Sequence, residues 1–179
     1  MKKIMYGCIA ILLVVGSIMY GFISAPKVIA VDRQYEATAY KLEDKSFSQP
    51  VTLSLSGVFD EKSESYLGKL TVNGKEYTNC RLDTKFAMMK CTVDGNEGVP
   101  LELLGMVYAD KDFKAWSLTV DKSNNSGQSE NDLYTVLNRG DSTEGNIVIS
   151  LAATDRGSAL KQYDHLRQSW ANEMERRSK

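Results

Sequence analysis

Residues 66–77 read Tyr-Leu-Gly-Lys-Leu-Thr-Val-Asn-Gly-Lys-Glu-Tyr, and this stretch decides the fold. Every second residue from Tyr66 to Val72 falls on one face of an extended chain, which is the period of a β-strand. The Asn-Gly pair that follows supplies the two positive φ angles of a type I′ turn, whose twist matches antiparallel strands. The sequence therefore predicts a tight hairpin with Val72 opposite Lys75 and Leu70 opposite Tyr77.

Further strand-length segments flank this hairpin at intervals of about ten residues. The clearest begins at Pro50, where three apolar residues alternate with Thr and Ser up to residue 56. Residues 133–137 fit either a short strand or a helical turn, and the polar segment 121–132 predicts a mobile loop. The other predicted strands are 35–42, 86–93, 100–108, 113–120 and 146–153.

This spacing predicts a mainly β domain, α+β at the margin, in which an antiparallel β-sandwich or small barrel of about eight strands forms the core. A C-terminal amphipathic helix is predicted to pack on it, beginning at a cap supplied by Thr154 or Asp155. Its apolar side chains recur at steps of three and four residues. They are Leu160, Tyr163, Leu166, Trp170 and Met174.

Trp170 is the expected anchor of this helix, because it is the largest side chain on the apolar stripe. The polar side of the helix carries Lys161, Asp164, Arg167, Gln168 and Glu175. A stripe of this size is predicted to pack against the sheet, since leaving it in water is unfavourable. The alternative is that the stripe binds a partner.

The segment from Ile4 to Ile23 contains twenty residues without a charge, preceded by Lys2 and Lys3. A helix of this length spans about 30 Å, the hydrocarbon thickness of a bilayer. The basic start favours a cytoplasmic N-terminus. The segment therefore predicts a transmembrane signal-anchor and a single-pass cell-membrane protein whose C-terminal domain is extracytoplasmic.

Cleavage is the alternative interpretation, because Val28-Ile29-Ala30 carries residues that a signal peptidase accepts. Cleavage near Ala30 would release a secreted domain. The apolar run is longer than a typical signal core, however, and Pro26 spoils the nearer site. The predicted organisation is a cytoplasmic tip and anchor at residues 1–25, a tether at 26–33 and a β-rich domain with the C-terminal helix at 34–179.

Cys80 and Cys91 are the only thiols after the predicted anchor, since Cys8 lies inside it. Two cysteines in an exported chain are expected to pair. We predict a structural disulfide between neighbouring strands. Two free cysteines, or a redox switch, are the alternatives, although ten intervening residues do not resemble a Cys-x-x-Cys motif.

Composition and motifs argue against several other functions. Beyond Ile23, 20 basic and 23 acidic residues are interspersed, so we predict no nucleic-acid partner. His165 is the only histidine, no Gly-x-Ser-x-Gly motif occurs, and residues 121–132 lack the pattern of an EF-hand. We therefore predict no catalytic residue, no metal site and no cofactor.

The function predicted from these features is a membrane-anchored, extracytoplasmic, non-enzymatic module that binds or interacts with a partner, possible protein partners being those of the cell envelope. One alternative is a cell-envelope hydrolase, and the other is a small barrel-type carrier of an apolar ligand. The anchored layout and residues 66–77 resemble small exported proteins of Gram-positive bacteria. That resemblance covers about half of the chain and implies no activity.

Overall fold

The computed structural model describes residues 27–92, 101–110, 114–122, 132–138, 141, 145–151, 153 and 155–179. The predicted transmembrane helix and nearly all of the predicted loop 121–132 lie outside these ranges. Within them, the search for a helix both long and apolar enough to cross a bilayer gives no candidate.

Eight antiparallel strands form a closed barrel in which each strand pairs with its neighbours in the sequence and the last returns to the first. The strands are β1 Val28–Lys41, β2 Ser48–Asp60, β3 Ser65–Val72, β4 Lys75–Asp83, β5 Met88–Thr92, β6 Glu102–Ala109, β7 Trp116–Val120 and β8 Ile147–Leu151. Within the described ranges, helix α1 Leu133–Leu137 lies between β7 and β8, and helix α2 Arg156–Arg177 follows β8. Of the two predicted architectures, the structure thus has the barrel.

The predicted hairpin is confirmed in its register as well as its position. Val72 pairs with Lys75 and Leu70 with Tyr77, and the turn residues Asn73 and Gly74 have φ angles of 48° and 80°. The Asn73 side chain accepts a hydrogen bond from the backbone N–H of Thr52 at 2.9 Å. The turn is therefore fixed to β2 as well as closing β3 onto β4.

Strand β1 begins earlier than the sequence predicted. It pairs with β2 continuously from Val28 opposite Asp60 to Tyr40 opposite Ser48, so residues 28–33, predicted to be a tether, are part of the barrel. The reason is that Arg33 occupies an inward position between Val31 and Tyr35. A charged residue at that position broke the apolar alternation that marks a strand.

The two ends of the barrel differ, and we call them the cap end and the entry end. The cap end contains the β1–β2 connection, the Asn73-Gly74 turn and α1, whose Leu133, Tyr134 and Leu137 pack onto the interior core. The entry end is where β1 begins, and it contains the β2–β3, β4–β5 and β6–β7 turns. The interior between the ends is filled by large buried side chains that include Trp116, Tyr66, Tyr77, Leu53, Leu118 and Met89.

Gly57 and Gly68 lie opposite each other on β2 and β3. A side chain at Gly57 would collide with the carbonyl of Leu67 and approach the Cα of Gly68 to 2.6 Å. The two backbones therefore come together where neither residue has a side chain. This close approach allows the sheet to bend sharply enough to close.

The predicted disulfide is confirmed. Cys80 on β4 and Cys91 on β5 are bonded, with Cα atoms 4.0 Å apart, and both side chains are fully buried. The bridge fixes a short loop between neighbouring strands. Chain-entropy arguments assign such a loop about 3 kcal/mol of stabilisation.

Helix α2 packs on the outside of the barrel, as predicted. Asp155 caps it by accepting hydrogen bonds from the backbone N–H groups of Gly157 and Ser158 at 2.7 and 3.0 Å. Tyr163 and Leu166 are buried, while Leu160, Trp170 and Met174 are half-buried. The stripe meets apolar side chains on the outer face of the sheet, which are Tyr40, Met106, Tyr108 and Val148.

Trp170 lies at the edge of this contact. Its indole N–H donates a hydrogen bond to the carbonyl of Thr84 at 3.0 Å, and its ring meets the Tyr108 ring edge-on at 5.6 Å. The predicted anchor thus joins α2 to the β4–β5 turn as well as to the sheet. Met174 lies beyond the buried cluster.

We expect Trp170→Ala to lower the free energy of unfolding by about 2 kcal/mol, below the roughly 3–5 kcal/mol of a fully buried tryptophan, because the side chain is only half-buried. Urea unfolding of the full chain measures this. Met174→Ala is the control, and a change below about 1 kcal/mol is expected there. An unchanged midpoint for Trp170→Ala would show that α2 is not docked.

Candidate functional site

The residues predicted from sequence to matter structurally lie in two separate places. Cys80 and Cys91 are inside the barrel, whereas the stripe of α2 lies outside it. His165 is exposed on α2. Among the described residues, no group of three or more His, Cys, Asp and Glu side chains could hold a metal ion.

The exposed large apolar side chains of the described chain concentrate at the entry end. Two lie at the start of β1, two lie close to the β2–β3 turn, and one lies in the β4–β5 turn. We call these five residues the entry face. They are Val28, Ile29, Val58, Leu67 and Phe86, with 51, 43, 41, 50 and 61% of their surfaces exposed.

Strand register explains part of this grouping. Val58 lies directly opposite Leu67 on the outer surface of β2 and β3, and Ala30 of β1 lies opposite Val58. An apolar row therefore crosses three strands. Large apolar side chains gathered on an otherwise polar surface are typical of a contact surface.

Aspartates at the entry end accept hydrogen bonds from their own backbone. Asp60, Asp83 and Asp110 each accept one from the backbone N–H of a following lysine at 2.7–2.9 Å. For Asp60 and Asp83 the donor lies two residues further on, and such a bond holds the chain in a compact turn. The bond from Lys62 is the main reason why the pKa of the Asp60 carboxyl lies below its usual value.

The end of α2 is tied to the same region. The Arg177 guanidinium donates two hydrogen bonds to the Glu64 carboxylate in the β2–β3 turn, at 2.6 and 2.9 Å. Together with the bond to Glu173, this contact raises the pKa of Arg177. The entry end is therefore held by its turns and by the helix.

Inside the entry end lies a small group of polar side chains, which we call the mouth: Arg33, Tyr35 and Trp116. Arg33 points into the barrel, because Val31 and Tyr35, two residues to either side, both belong to the interior cluster. It is partly buried and lies opposite Leu55. Among the described residues it forms no hydrogen bond or ion pair.

Trp116 lies deeper in the mouth. Its side chain is fully buried, and its indole Nε1 has no hydrogen-bond partner. The Tyr35 ring meets the Trp116 ring edge-on, with centroids 6.3 Å apart. Buried donors without a partner are uncommon in folded proteins and need an explanation.

The cap end differs because its buried charge is paired. Lys41 is fully buried, forms an ion pair with Asp141 at 2.9 Å and lies over the Phe47 ring. The Gln49 amide donates to the carbonyl of Leu137 at 2.7 Å, which fixes α1. Burial raises the pKa of Tyr77, and the charge of nearby Asp132 adds to the effect. These contacts close the barrel at this end.

Sequence reasoning missed the entry face and the mouth. Phe86 was placed inside a strand, whereas β5 begins at Met88 and Phe86 lies in the turn. Arg33 was placed in the tether, where a charge needs no explanation. Trp116 lies on β7 and is buried in the core, but its missing hydrogen bond has no signal in the sequence.

Comparison of the chain with protein-family models, with curated proteins and with solved structures gave no match. The function is therefore argued from the residues and the geometry described above.

Buried tyrosines give the barrel a pH dependence. Tyr66 is buried in the interior and donates to the carbonyl of Lys69 at 2.8 Å. Burial is the main reason why the pKa of Tyr66 is raised to about 12. Burial also raises the pKa of Tyr40, which lies under α2, to about 12.

We expect stability to be constant between about pH 7 and 9 and to fall as the pH rises from about 10 to 12. An unfolded tyrosine loses its proton near pH 10, whereas the folded one keeps it to about pH 12, so the contribution is present below pH 10 and lost above it. Melting temperatures across this range measure the fall. Tyr66→Phe should have a shallower fall, and an equal fall in both chains would contradict the assignment.

Proposed function

We propose that this chain is a membrane-tethered, extracytoplasmic and non-enzymatic binding module, and that the entry face is its binding surface. The observation that carries the proposal is the concentration of exposed apolar side chains at one end of the barrel. An exposed apolar group of this kind favours a partner that is itself apolar in part.

The predicted anchor would place the entry end close to the membrane. Only residues 24–27 separate Ile23 from the start of β1 at Val28. The five steps from the Cα atom of Ile23 to that of Val28 reach at most about 18 Å, since each step extends about 3.3–3.6 Å. A tether through residues 4–23 would therefore hold the entry end, and not the cap end, against the membrane surface.

The disulfide supports the extracytoplasmic part of the proposal. Bonds such as that between Cys80 and Cys91 persist in oxidising compartments and are rare in the cytosol. The disulfide and the basic residues before the predicted anchor thus both favour a barrel on the outer side of the membrane.

The described residues give less support to an envelope hydrolase. Such an enzyme needs converging acid, base or nucleophile groups. The aspartates of the entry turns instead accept hydrogen bonds from their own backbones, and His165 is exposed on the outer helix. A carrier with an open interior is also less well supported, because large side chains fill the barrel between its ends.

A photo-reactive amino acid placed in the full chain tests the proposal in intact cells. At residue 86 we expect crosslinks to membrane lipid or to an envelope component, because Phe86 is the most exposed member of the entry face. At residue 45, exposed in the connection at the cap end, we expect few. A C-terminal alkaline phosphatase fusion checks the orientation in parallel.

Two results would overturn the proposal. Equal crosslinking at residues 86 and 45 would remove the entry face as the binding surface. An inactive phosphatase fusion on a stable protein would place the barrel in the cytoplasm and remove the extracytoplasmic assignment.

A further inference from the structure

We infer that the mouth binds the anionic headgroup, a carboxylate or phosphate, of a membrane amphiphile, with the Arg33 guanidinium and the Trp116 indole N–H as its donors. This inference deepens the proposed function, and its placement beside the membrane rests on the proposed tether. The argument for the site itself rests on the mouth alone.

Arg33 is the first part of the site. Its side chain leaves β1 on the same inward face as Val31 and Tyr35 and is partly buried, and the described residues place no carboxylate against it. Arginine presents a planar set of donors that fits carboxylate and phosphate groups with two parallel hydrogen bonds. A partly buried arginine without an internal partner is suited to an anion from outside.

Trp116 is the second part, and it is an independent observation. Its indole N–H is fully buried and unpaired, whereas the half-buried Trp170 has an acceptor for its indole N–H, the carbonyl of Thr84. An indole can only donate, so the group that completes Trp116 must be an acceptor. An anionic oxygen supplies one.

Tyr35 relates the two donors to each other. It lies two residues from Arg33 on the inward face of β1, and its ring meets the ring of Trp116. Arg33 and Trp116 therefore belong to one region at the same end of the barrel. Arg33 is partly exposed and Trp116 is fully buried, so an anion entering from the entry end meets the guanidinium first.

The surroundings favour an amphiphile over a small free anion. Ile29 lies four residues before Arg33 on the inward face of β1, opposite Phe59, and 43% of its surface is exposed. Phe86 and Val28 are exposed at the same end. A ligand whose anionic group reaches Arg33 would place its apolar part against these side chains, which a phosphate ion would leave in water.

Quenching of tryptophan fluorescence tests the site on the full chain. The chain contains two tryptophans, so Trp170→Phe leaves Trp116 as the only tryptophan. This protein, kept in a neutral detergent so that no tether is needed to place it, is titrated with 5-doxyl-stearic acid, whose nitroxide quenches nearby indoles. Its methyl ester, which has the same chain without the charge, is the matched probe.

We expect saturable quenching by the acid and none by the ester beyond a linear background. Arg33→Gln should raise the half-saturating concentration at least tenfold, because it removes the charge and keeps most of the side chain. Arg81→Gln is the matched control, since Arg81 is exposed on the outer face of β4, and it should leave the titration unchanged.

A second measurement leaves Arg33 in place, in case its replacement disturbs the fold. In the Trp170→Phe protein the Trp116 indole N–H gives a single nitrogen-proton resonance, and stearic acid should shift it. Inorganic phosphate distinguishes a site for a free anion from a site for the headgroup of an amphiphile. We expect no shift up to 10 mM phosphate, because the ion lacks the apolar part.

Three results would overturn the inference: equal quenching by acid and ester, equal effects of the Arg33 and Arg81 substitutions on well-folded protein, or an indole resonance shifted by phosphate and not by stearic acid. These results do not depend on the tether. If Arg33-dependent quenching is found while the crosslinking or orientation tests fail, the headgroup site stands and the proposed function fails. The reverse pattern leaves the tethered module without this ligand.

Discussion

The pairing of β8 with β1 is the contact on which the rest of the structure depends. Residues 147–151 return to the upper half of β1 and pair with residues 37–41, which converts an eight-stranded meander into a closed barrel. Along residues 37–41, closure removes the free edge that an open sheet would expose to other chains. It also separates an interior core from an outer surface, and Tyr40 and Val148, on the outer side of this pair, become part of the floor on which α2 packs.

Closure gives the barrel two ends, and their chemistry differs. At the cap end, α1 covers the core and the buried Lys41 forms an ion pair with Asp141. At the entry end, apolar side chains stay exposed and a buried indole donor stays unpaired. The exposed apolar side chains and the unpaired Trp116 donor are the reasons why we propose the entry end as the binding end. The proposed tether enters the barrel at the binding end.

Local signals in the sequence predicted the local parts of the fold. The Asn73-Gly74 pair predicted the hairpin register, and Cys80 and Cys91 predicted the disulfide. The start of α2 was predicted at Thr154 or Asp155, and Asp155 is the cap. Barrel closure could not be separated from a sandwich, because β1 and β8 are about a hundred residues apart and neither carries a pairing signal. The mouth was hidden for the same reason, since Tyr35 and Trp116 meet only after closure.

Hydrogen exchange of the backbone amides in β8 tests closure most directly, because only closure gives this strand a partner on its β1 side. We expect amides of residues 147–151 and 37–41 to exchange as slowly as those of the β3–β4 hairpin, through unfolding of the whole barrel. Fast exchange along residues 37–41 and β8, with the hairpin still protected, would show that the sheet is open between β1 and β8. An open sheet would have no mouth, and the account of the entry end would be wrong.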